Sequence, residues 1–364
     1  MPGGVLPYQD GYIDKDLLLY MQGFDLRIGT LECAIGSNLP PAPGKLKKNG
    51  GNDNVCYARD EDFCRVVEMG FSALSLGNNH SFDLGEDGLR NTIEHLRDSG
   101  IGYFGAGMNL SEASKPFVVS RGGRSICFIG CCIKGCAPRS LIVATDDSYG
   151  VYQPSIEDLE KQIRDLKGKY DFIIIMPHWG EEHVRIPPPE NVSYARRMID
   201  AGADAVLGSH SHCVSPIITY KGKIICFSMG NFLDPDKCLT PPRPFYYPKN
   251  KEELKSLPKC INYPWSVKQP MLCVCGSDSR MGWVIVSKFS TDMETTYRLV
   301  RIGQDNIIRL YAFYSSFKDY LLRCLILPFL GQMTRLGKCY RLIYKIGFLY
   351  ERKVRNLGSF RKNI

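Results

Sequence analysis

Apolar and polar positions alternate regularly along the middle of the chain. Short, continuously apolar runs predict buried strands, and longer stretches with apolar residues on one helical face predict amphipathic helices. The predicted strands are residues 71–76, 125–131, 171–176, 203–207 and 223–229, with closing strands at 281–289 and 296–302. The predicted helices are residues 85–99, 155–169 and 191–201. Strands that are apolar on both faces and alternate with helices indicate an α/β fold with a largely parallel sheet.

Two local signals refine this outline. Ser155 and Asp158 form a capping box at the start of the second predicted helix. The stretch from residue 234 to residue 270 is rich in proline and breaks the alternation. We expect it to be a long irregular insertion, a lid or a rim, within a domain that spans residues 1–300.

Polar side chains gather directly after three of the predicted strands. Asn79 and His80 follow the first strand, His178 follows the third, and His210 and His212 follow the fourth. The carboxyl ends of parallel strands meet at one edge of a sheet, where such folds place their active sites. Imidazole and amide donors suit Zn, Mn or Fe. We favour a metal or phosphate site; the alternative is that each histidine is a hydrogen-bonded core or surface residue.

Short motifs around these positions occur in one order. They are Leu31-Glu32, Gly77-Asn78-Asn79-His80 with Asp83 and Gly85, Gly105-Ala106-Gly107, His178-Trp179-Gly180 with Glu182, residues 200–206, Gly208-Ser209-His210-Ser211-His212 and residues 228–232. In this order they resemble the bacterial capsule synthesis protein CapA family, of the poly-γ-glutamate synthesis type, over roughly residues 1–300. That family resembles the calcineurin-like metallophosphoesterases, so the resemblance implies an α/β fold of layered mixed sheets flanked by helices.

The resemblance also implies a metal site. Asn79, His178 and His210 would be metal ligands, Glu32 would bridge or flank a pair of divalent ions, and His212 would bind the second ion. The ions, Mn, Fe or Zn, would clamp a phosphoryl or similar group and supply a hydroxide nucleophile.

Four further residues would assist this chemistry. His80 would stabilise or protonate the leaving oxygen. Asp83 would act beside it or orient a ligand, and capping of the following helix is an equal alternative for Asp83. Glu182 and Asn231 would orient ligands from outside the site.

The N-terminus departs from the family pattern. The family opens with a strand ending in Gly-Asp, whose aspartate is a metal ligand, whereas this chain begins with the residues that would follow it, Met1 to Leu6. We therefore expect the first strand and one carboxylate ligand to be absent from this sequence. Either the start is assigned too late, which we favour because every later motif is intact, or the protein is a degraded relative with weak or no activity.

Charge divides the chain in two. The net charge is +8, but residues 301–364 carry 13 Lys and Arg against 3 Asp and Glu, so they hold +10 and residues 1–300 hold −2. This excludes a basic nucleic-acid groove through the main body. Apolar and basic residues interleave in the tail, which predicts an amphipathic segment on a membrane surface or a synthesis complex. The alternative, that the tail packs on its own domain, stays open.

Cysteines and termini bear on location. The chain has 15 Cys without paired C-x-x-C spacing, so a structural zinc site is not expected and a reducing compartment is favoured. No signal peptide or long apolar run is readable. We expect a cytoplasmic protein, peripheral to the membrane if the tail binds there, unless an export signal precedes Met1.

These inferences lead to two functional hypotheses. The first is a metal-dependent hydrolase of phosphoester or related bonds that serves surface-polymer production. The second is a non-catalytic assembly factor that uses the same cleft to hold the polymer or partner enzymes.

Overall fold

The computed structural model of the protein describes residues 11–43, 45, 55–134, 141–239, 248–261 and 269–311. The residues before 11, on which the expectation about the first strand bears, lie outside the described residues. So do residues 312–364, which make up most of the predicted basic tail.

The described strands and helices follow one another in short segments. The strands are β1 (Ile28–Thr30), β2 (Ala34–Ile35), β3 (Tyr57–Ala58), β4 (Ala73–Ser75), β5 (Gly102–Phe104), β6 (Ala106–Gly107), β7 (Phe117–Arg121), β8 (Arg124–Cys132), β9 (Gly150–Val151), β10 (Phe172–His178), β11 (Ala205–Leu207), β12 (Ile217–Tyr220), β13 (Lys223–Cys226), β14 (Lys237–Leu239), β15 (Lys259–Ile261), β16 (Met271–Val274), β17 (Met281–Phe289), β18 (Met293–Ile302) and β19 (Ile308–Tyr311). The helices are α1 (Lys15–Gln22), α2 (Cys64–Glu68), α3 (Gly85–Asp98), α4 (Leu110–Ala113), α5 (Ile156–Leu166), α6 (Pro189–Ala201) and α7 (Lys251–Ser256), with 3₁₀ turns at Asp60–Phe63 and Ser277–Arg280.

A central sheet of six strands has the order β12-β13-β11-β10-β8-β7. Strands β8, β10, β11 and β13 run parallel, and β7 and β12 pair antiparallel at the two edges. A second sheet, β1-β4-β5, is entirely parallel. The predicted α/β class with a largely parallel sheet is therefore confirmed.

Strand β10 shows how the layers form. All its residues are buried, and successive side chains point to opposite faces. Ile173 and Ile175 join a core cluster with α5 and α6. Ile174 and Met176 join another that includes Ala73 of β4 and other residues of the second sheet. The result is an arrangement in layers, with helices, central sheet and second sheet, as expected from the motifs.

Most predicted elements are confirmed within a few residues. Ser155 caps α5, because its hydroxyl accepts a hydrogen bond from the Asp158 N–H at 3.0 Å. The strand predicted over residues 223–229 ends earlier, at Cys226, because the chain turns there toward the site described below.

The proline-rich segment is more regular than predicted. Its described residues include β14, α7 and β15, which with β16 form a three-stranded sheet in the order β14-β16-β15. We call this the insertion sheet. The expectation of an irregular segment was wrong for these residues, since Pro235, Pro248 and Pro258 lie just before regular elements instead of inside them.

The last described sheet is antiparallel, in the order β17-β18-β19, and confirms the closing strands. It continues to Tyr311, so residues 301–311 belong to this C-terminal sheet and not to a separate tail. Within the described ranges, no helix has both the length and the apolar character needed to cross a membrane.

Candidate metal centre

Four chain segments deliver polar residues to one corner of the molecule. Glu32 lies just after β1 and Asn79 just after β4, which are neighbours in the second sheet. His178 is the last residue of β10, and His210 follows β11, its neighbour in the central sheet. The carboxyl ends of both sheets thus converge, as predicted for parallel strands.

Two glycines allow this convergence. A Cβ on Gly77 would lie 2.7 Å from the backbone nitrogen of Cys131 in β8, and a Cβ on Gly208 would lie 2.1 Å from the carbonyl oxygen of Phe227. Neither position has room for a side chain. The close approach of the backbones brings the residues that follow each glycine together.

We call Glu32, Asn79, His178, His210 and His212 the imidazole cluster. His178 Nε2 lies 2.6 Å from Asn79 Oδ1, 3.0 Å from His210 Nδ1 and 3.4 Å from Glu32 Oε1. His212 Nε2 lies 3.5 Å from the same Glu32 oxygen. All five side chains are buried. The structure therefore brings together the five residues predicted as metal ligands.

The backbone of the histidine segment is in an unusual conformation. His210 has φ +96° and His212 has φ +52°, in the left-handed region that L side chains rarely adopt. Ser211, between them, points away, and its hydroxyl donates to Cys213 O at 2.9 Å. Two histidines one residue apart can thus both reach Glu32. Non-glycine residues are held in this region where the surroundings enforce it, commonly at functional sites.

Both central imidazoles are kept neutral. Burial lowers the pKa of His178 well below its ordinary value, and the charges of His210 and His212 lower it further. Burial also lowers the pKa of His210 to about 4, although the nearby carboxylate of Glu182 opposes the shift. Neutral imidazoles present a lone pair, which is the form that binds a metal.

A divalent cation fits this donor set. Glu32 Oε1 is buried and receives no hydrogen bond, although two imidazole nitrogens lie within 3.5 Å of it. A buried carboxylate oxygen without a donor is costly. Among the described residues, Glu32, His178 and His210 each offer a ligand atom within 4.8 Å of the other two. A cation between them would balance the carboxylate and accept the imidazole lone pairs.

A relay of hydrogen bonds fixes the orientation of His212. The Asn231 amide nitrogen donates to Asp234 at 3.1 Å and to the Ser279 carbonyl at 2.8 Å, so its Oδ1 accepts from His212 Nδ1 at 3.0 Å. His212 Nε2 is then left with its lone pair toward Glu32. Burial would raise the pKa of Asp234, but the charge of Lys237, with which it pairs, lowers it. Asn231 therefore contacts His212, while its role in orienting a metal ligand stays a prediction.

A second group, which we call the His80 cluster, consists of Lys45, Cys56, His80 and Asp83. Asp83 lies 2.7 Å from His80 Nδ1 and 2.6 Å from Lys45 Nζ, and it accepts the Cys56 backbone N–H at 2.6 Å. Burial would lower the pKa of His80, but the charges of Cys56 and Asp83 raise it well above its ordinary value. The Lys45 ammonium disfavours a second metal here, because it already supplies the positive charge.

The structure decides between the two interpretations of Asp83. No side chain caps the start of α3, so Asp83 is not the helix cap. It holds His80 and Lys45 instead. Lys45 Nζ also lies 3.3 Å from the carbonyl oxygen of Asn79, which ties the His80 cluster to the imidazole cluster.

Glu182 and His183 lie at the rim. Glu182 is exposed, and its charge raises the pKa of His210 against the effect of burial. Its role in orienting a ligand stays a prediction. His183 has φ +60°, its ring packs 5.5 Å from that of His212, and its Nδ1 lies 3.2 Å from Ser279 Oγ.

Sequence reasoning missed several contributors to this corner. Lys45 lies in a glycine- and lysine-rich stretch, and Asp234 and Lys237 lie in the proline-rich segment, where no periodicity gives a signal. The one available signal was the strand-end turn of Gly230 and Asn231, since Asp234 lies only three positions after Asn231.

The part of the chain that contains these residues is similar to known proteins. The model of the bacterial capsule synthesis protein family PGA_cap matches residues 6–236, which is more than half of the chain. The chain is 33% identical over 233 residues to a capsule biosynthesis protein, CapA, of Bacillus anthracis, covering 62% of this chain and 54% of that protein. It is 32% identical over 172 residues to a PGA biosynthesis protein, CapA, of Bacillus subtilis strain 168, covering 46% and 44%.

The chain thus spans about half the length of the curated relatives it matches. Among solved structures, a putative 5′-nucleotidase from Staphylococcus aureus is similar with a TM-score of 0.39 and 15% identity, over 72% of this chain and 43% of that one.

Proposed function

The chain belongs to the bacterial capsule synthesis protein family, and on that premise we propose that it is a metal-dependent hydrolase of phosphoester or related bonds. Its role would be in the production of a surface polymer of the poly-γ-glutamate type. The family membership supports the place in capsule or polymer synthesis. The hydrolytic activity, the number of ions and their identity are the proposal.

The observation that carries the proposal is the environment of Glu32 Oε1. This buried oxygen accepts no hydrogen bond, and one ring nitrogen each of His178 and His212 lies within 3.5 Å of it, which supports a cation between them. Glu32, His178 and His210 would hold one ion, with Asn79 beside it, and His212 would contribute to a second. A divalent ion there supplies Lewis-acid polarisation of a phosphoryl oxygen and lowers the pKa of water.

The residues of the chain account for the remaining requirements. Neutral His178 and His210 stay available as ligands near neutral pH because their pKa values are lowered. His80 keeps its proton because its pKa is raised, and it is adjacent in sequence to Asn79. A protonated imidazole beside the metal site would donate its proton to the leaving oxygen. Asp83 holds that ring through Nδ1.

The test is reconstitution of the purified chain with Mn or Zn, followed by metal analysis and hydrolysis of bis-p-nitrophenyl phosphate. His210→Asn should lose the metal and about a thousandfold in rate, because metal stabilisation of the transition state is worth several kcal/mol. Asparagine is chosen because it tolerates the left-handed backbone. His80→Asn should keep the metal and lose about a hundredfold or more in rate.

His95→Asn is the matched control. His95 lies on α3 and its Nε2 is 2.8 Å from Asp60, away from both clusters. It should leave metal content and rate unchanged. A reconstituted wild type that binds no divalent metal would overturn the proposal.

One observation favours the second candidate function, a non-catalytic assembly factor. Among the described residues of the imidazole cluster, Glu32 is the one carboxylate, so a pair of divalent ions would be poorly neutralised. Metal binding without turnover, in wild type and His80→Asn alike, would support this alternative.

A further inference from the structure

A cavity of about 690 Å³ lies where the insertion sheet, the 3₁₀ turn Ser277–Arg280 and the C-terminal sheet meet. It is separate from the imidazole cluster, none of whose residues lines it. Charged residues of its lining are Asp236, Lys259, Arg280, Arg301 and Arg309. Four cationic side chains thus face one carboxylate.

Two of these cations are already neutralised. Arg280 pairs with Asp236 and donates from Nε to Cys275 O at 3.1 Å. Arg309 pairs with Asp305 at 2.7 Å. In the part of the chain that the structure describes, no carboxylate pairs with Arg301 or Lys259.

Arg301 is the centre of the excess charge. It is exposed, and its guanidinium lies 5.4 Å from the centre of the Tyr311 ring. In the register of β18 and β19 it stands directly opposite Arg309. Because Asp305 already neutralises Arg309, an anion bound here would pair chiefly with Arg301.

The apolar part of the lining indicates which kind of anion fits the cavity. Leu272, Val274, Ile302 and Leu310 give the cavity apolar walls. The chain after Tyr311 carries 11 Lys and Arg against 2 Asp and Glu, so its charge does not match the cavity. An aliphatic chain that carries carboxylates matches both features of the lining.

We propose that this cavity is a binding site for a carboxylate-rich polymer segment, with Arg301 as its main anchor and Lys259 as a second. The choice of a glutamate polymer as the ligand rests on the proposed function. The cationic lining of the cavity is independent of that proposal.

The cavity and the metal centre share one structural element. Arg280 and Ser277 of the 3₁₀ turn line the cavity, while Ser279 between them accepts a hydrogen bond from Asn231 and contacts His183. A polymer held in the cavity would therefore lie against the opposite side of the turn that supports the metal site.

The experiment measures binding of a fluorescently labelled γ-linked glutamate oligomer to the full chain by anisotropy. Arg301→Gln should weaken binding about tenfold, the usual effect of losing a charge-assisted hydrogen bond. Arg301→Lys, which keeps the charge, should weaken it less. Arg298→Gln is the matched control, since Arg298 is an exposed arginine on the same strand outside the lining, and it should change affinity less than about twofold.

Several results separate this inference from the proposed function. His210→Asn should leave oligomer affinity unchanged, so that failure of the hydrolase proposal does not affect it. Lys259→Gln should also weaken binding, which keeps the test valid if Arg301→Gln unfolds. Equal effects of Arg301→Gln and Arg298→Gln would overturn the inference. Displacement of the oligomer by an equal concentration of inorganic phosphate would overturn the assignment to a carboxylate polymer.

Discussion

The imidazole cluster and the His80 cluster lie in the same corner and are joined by the peptide bond between Asn79 and His80. Each contains buried histidine and a buried carboxylate. In the first, burial and neighbouring imidazoles lower the pKa of His178 and His210. In the second, the charges of Cys56 and Asp83 raise the pKa of His80 despite its burial.

The difference lies in the balance of donors and acceptors around each carboxylate. Asp83 is surrounded by donors, from Lys45, His80 and the Cys56 backbone. Glu32 Oε1 has none. The same residue types therefore hold a proton in one group and leave a place for a cation in the other. Residue identity alone does not predict which outcome occurs.

The sharpest way to break this comparison is to neutralise each carboxylate in metal-free protein. Asp83→Asn should lower the free energy of unfolding by about 3–5 kcal/mol, because it leaves the Lys45 ammonium buried without its counter-charge. Glu32→Gln should leave it unchanged or raise it, because Oε1 has no donor that would lose a partner and the cost of a buried charge is removed. Urea unfolding in the presence of a chelator measures both.

A control completes that test. Lys45→Met combined with Asp83→Asn should recover part of the loss, because the unpaired ammonium is gone. Equal destabilisation by Glu32→Gln and Asp83→Asn would show that the two carboxylates have the same role.

A smaller effect is expected from the relay behind His212. Asn231→Ala removes the acceptor that orients His212 and should weaken metal binding by about tenfold to a hundredfold. Asn91→Ala is a matched control, because Asn91 also donates to a backbone carbonyl and a carboxylate, those of Ile35 and Asp60. Metal titration by calorimetry distinguishes them, and equal affinities would exclude a role for the relay.

A third test of the comparison concerns pH. As the pH falls below 6.5, the unfolded chain takes up protons on His178 and His210 that the folded, metal-free protein does not, and for His210 this difference extends to about pH 4. The free energy of unfolding of the metal-free protein should therefore decrease by about 1.4 kcal/mol per histidine for each unit by which the pH is lowered.

His80 acts in the opposite direction. Its raised pKa gives stability that is complete below pH 6.5 and is lost as pH rises toward the folded value. We expect maximal stability of the metal-free protein near pH 6.5. Unfolding by urea across a pH series should show the alkaline loss reduced in His80→Asn and the acid loss reduced in His210→Asn. Unchanged profiles would contradict the opposite behaviour of the two clusters.

Most strands of the central sheet and the five residues of the imidazole cluster could be predicted from the sequence. Buried strands such as β10 can be recognised in the sequence because their apolar residues are contiguous. The carboxyl ends of parallel strands lie at the same edge of a sheet. Turn residues at strand ends therefore indicate a shared site even before any contact is known.

The partners of those residues were not predictable in the same way. Lys45, which pairs with Asp83, lies in a glycine- and lysine-rich stretch of the sequence. Lys237 belongs to a strand in a segment whose prolines suggested no strand at all. Buried ion pairs between distant segments have no periodic signature. Their position depends on how loops cross the finished sheets, which a single sequence does not reveal.

The left-handed backbone at His210 determines which mutations can remove this ligand without disturbing the turn. Asparagine is among the residues that best tolerate such a φ, and histidine and asparagine codons differ only in their first base. One nucleotide change therefore removes a predicted metal ligand while the turn keeps its shape. A hydrolase and a folded, metal-free binding protein would be separated at this position by a single mutational step.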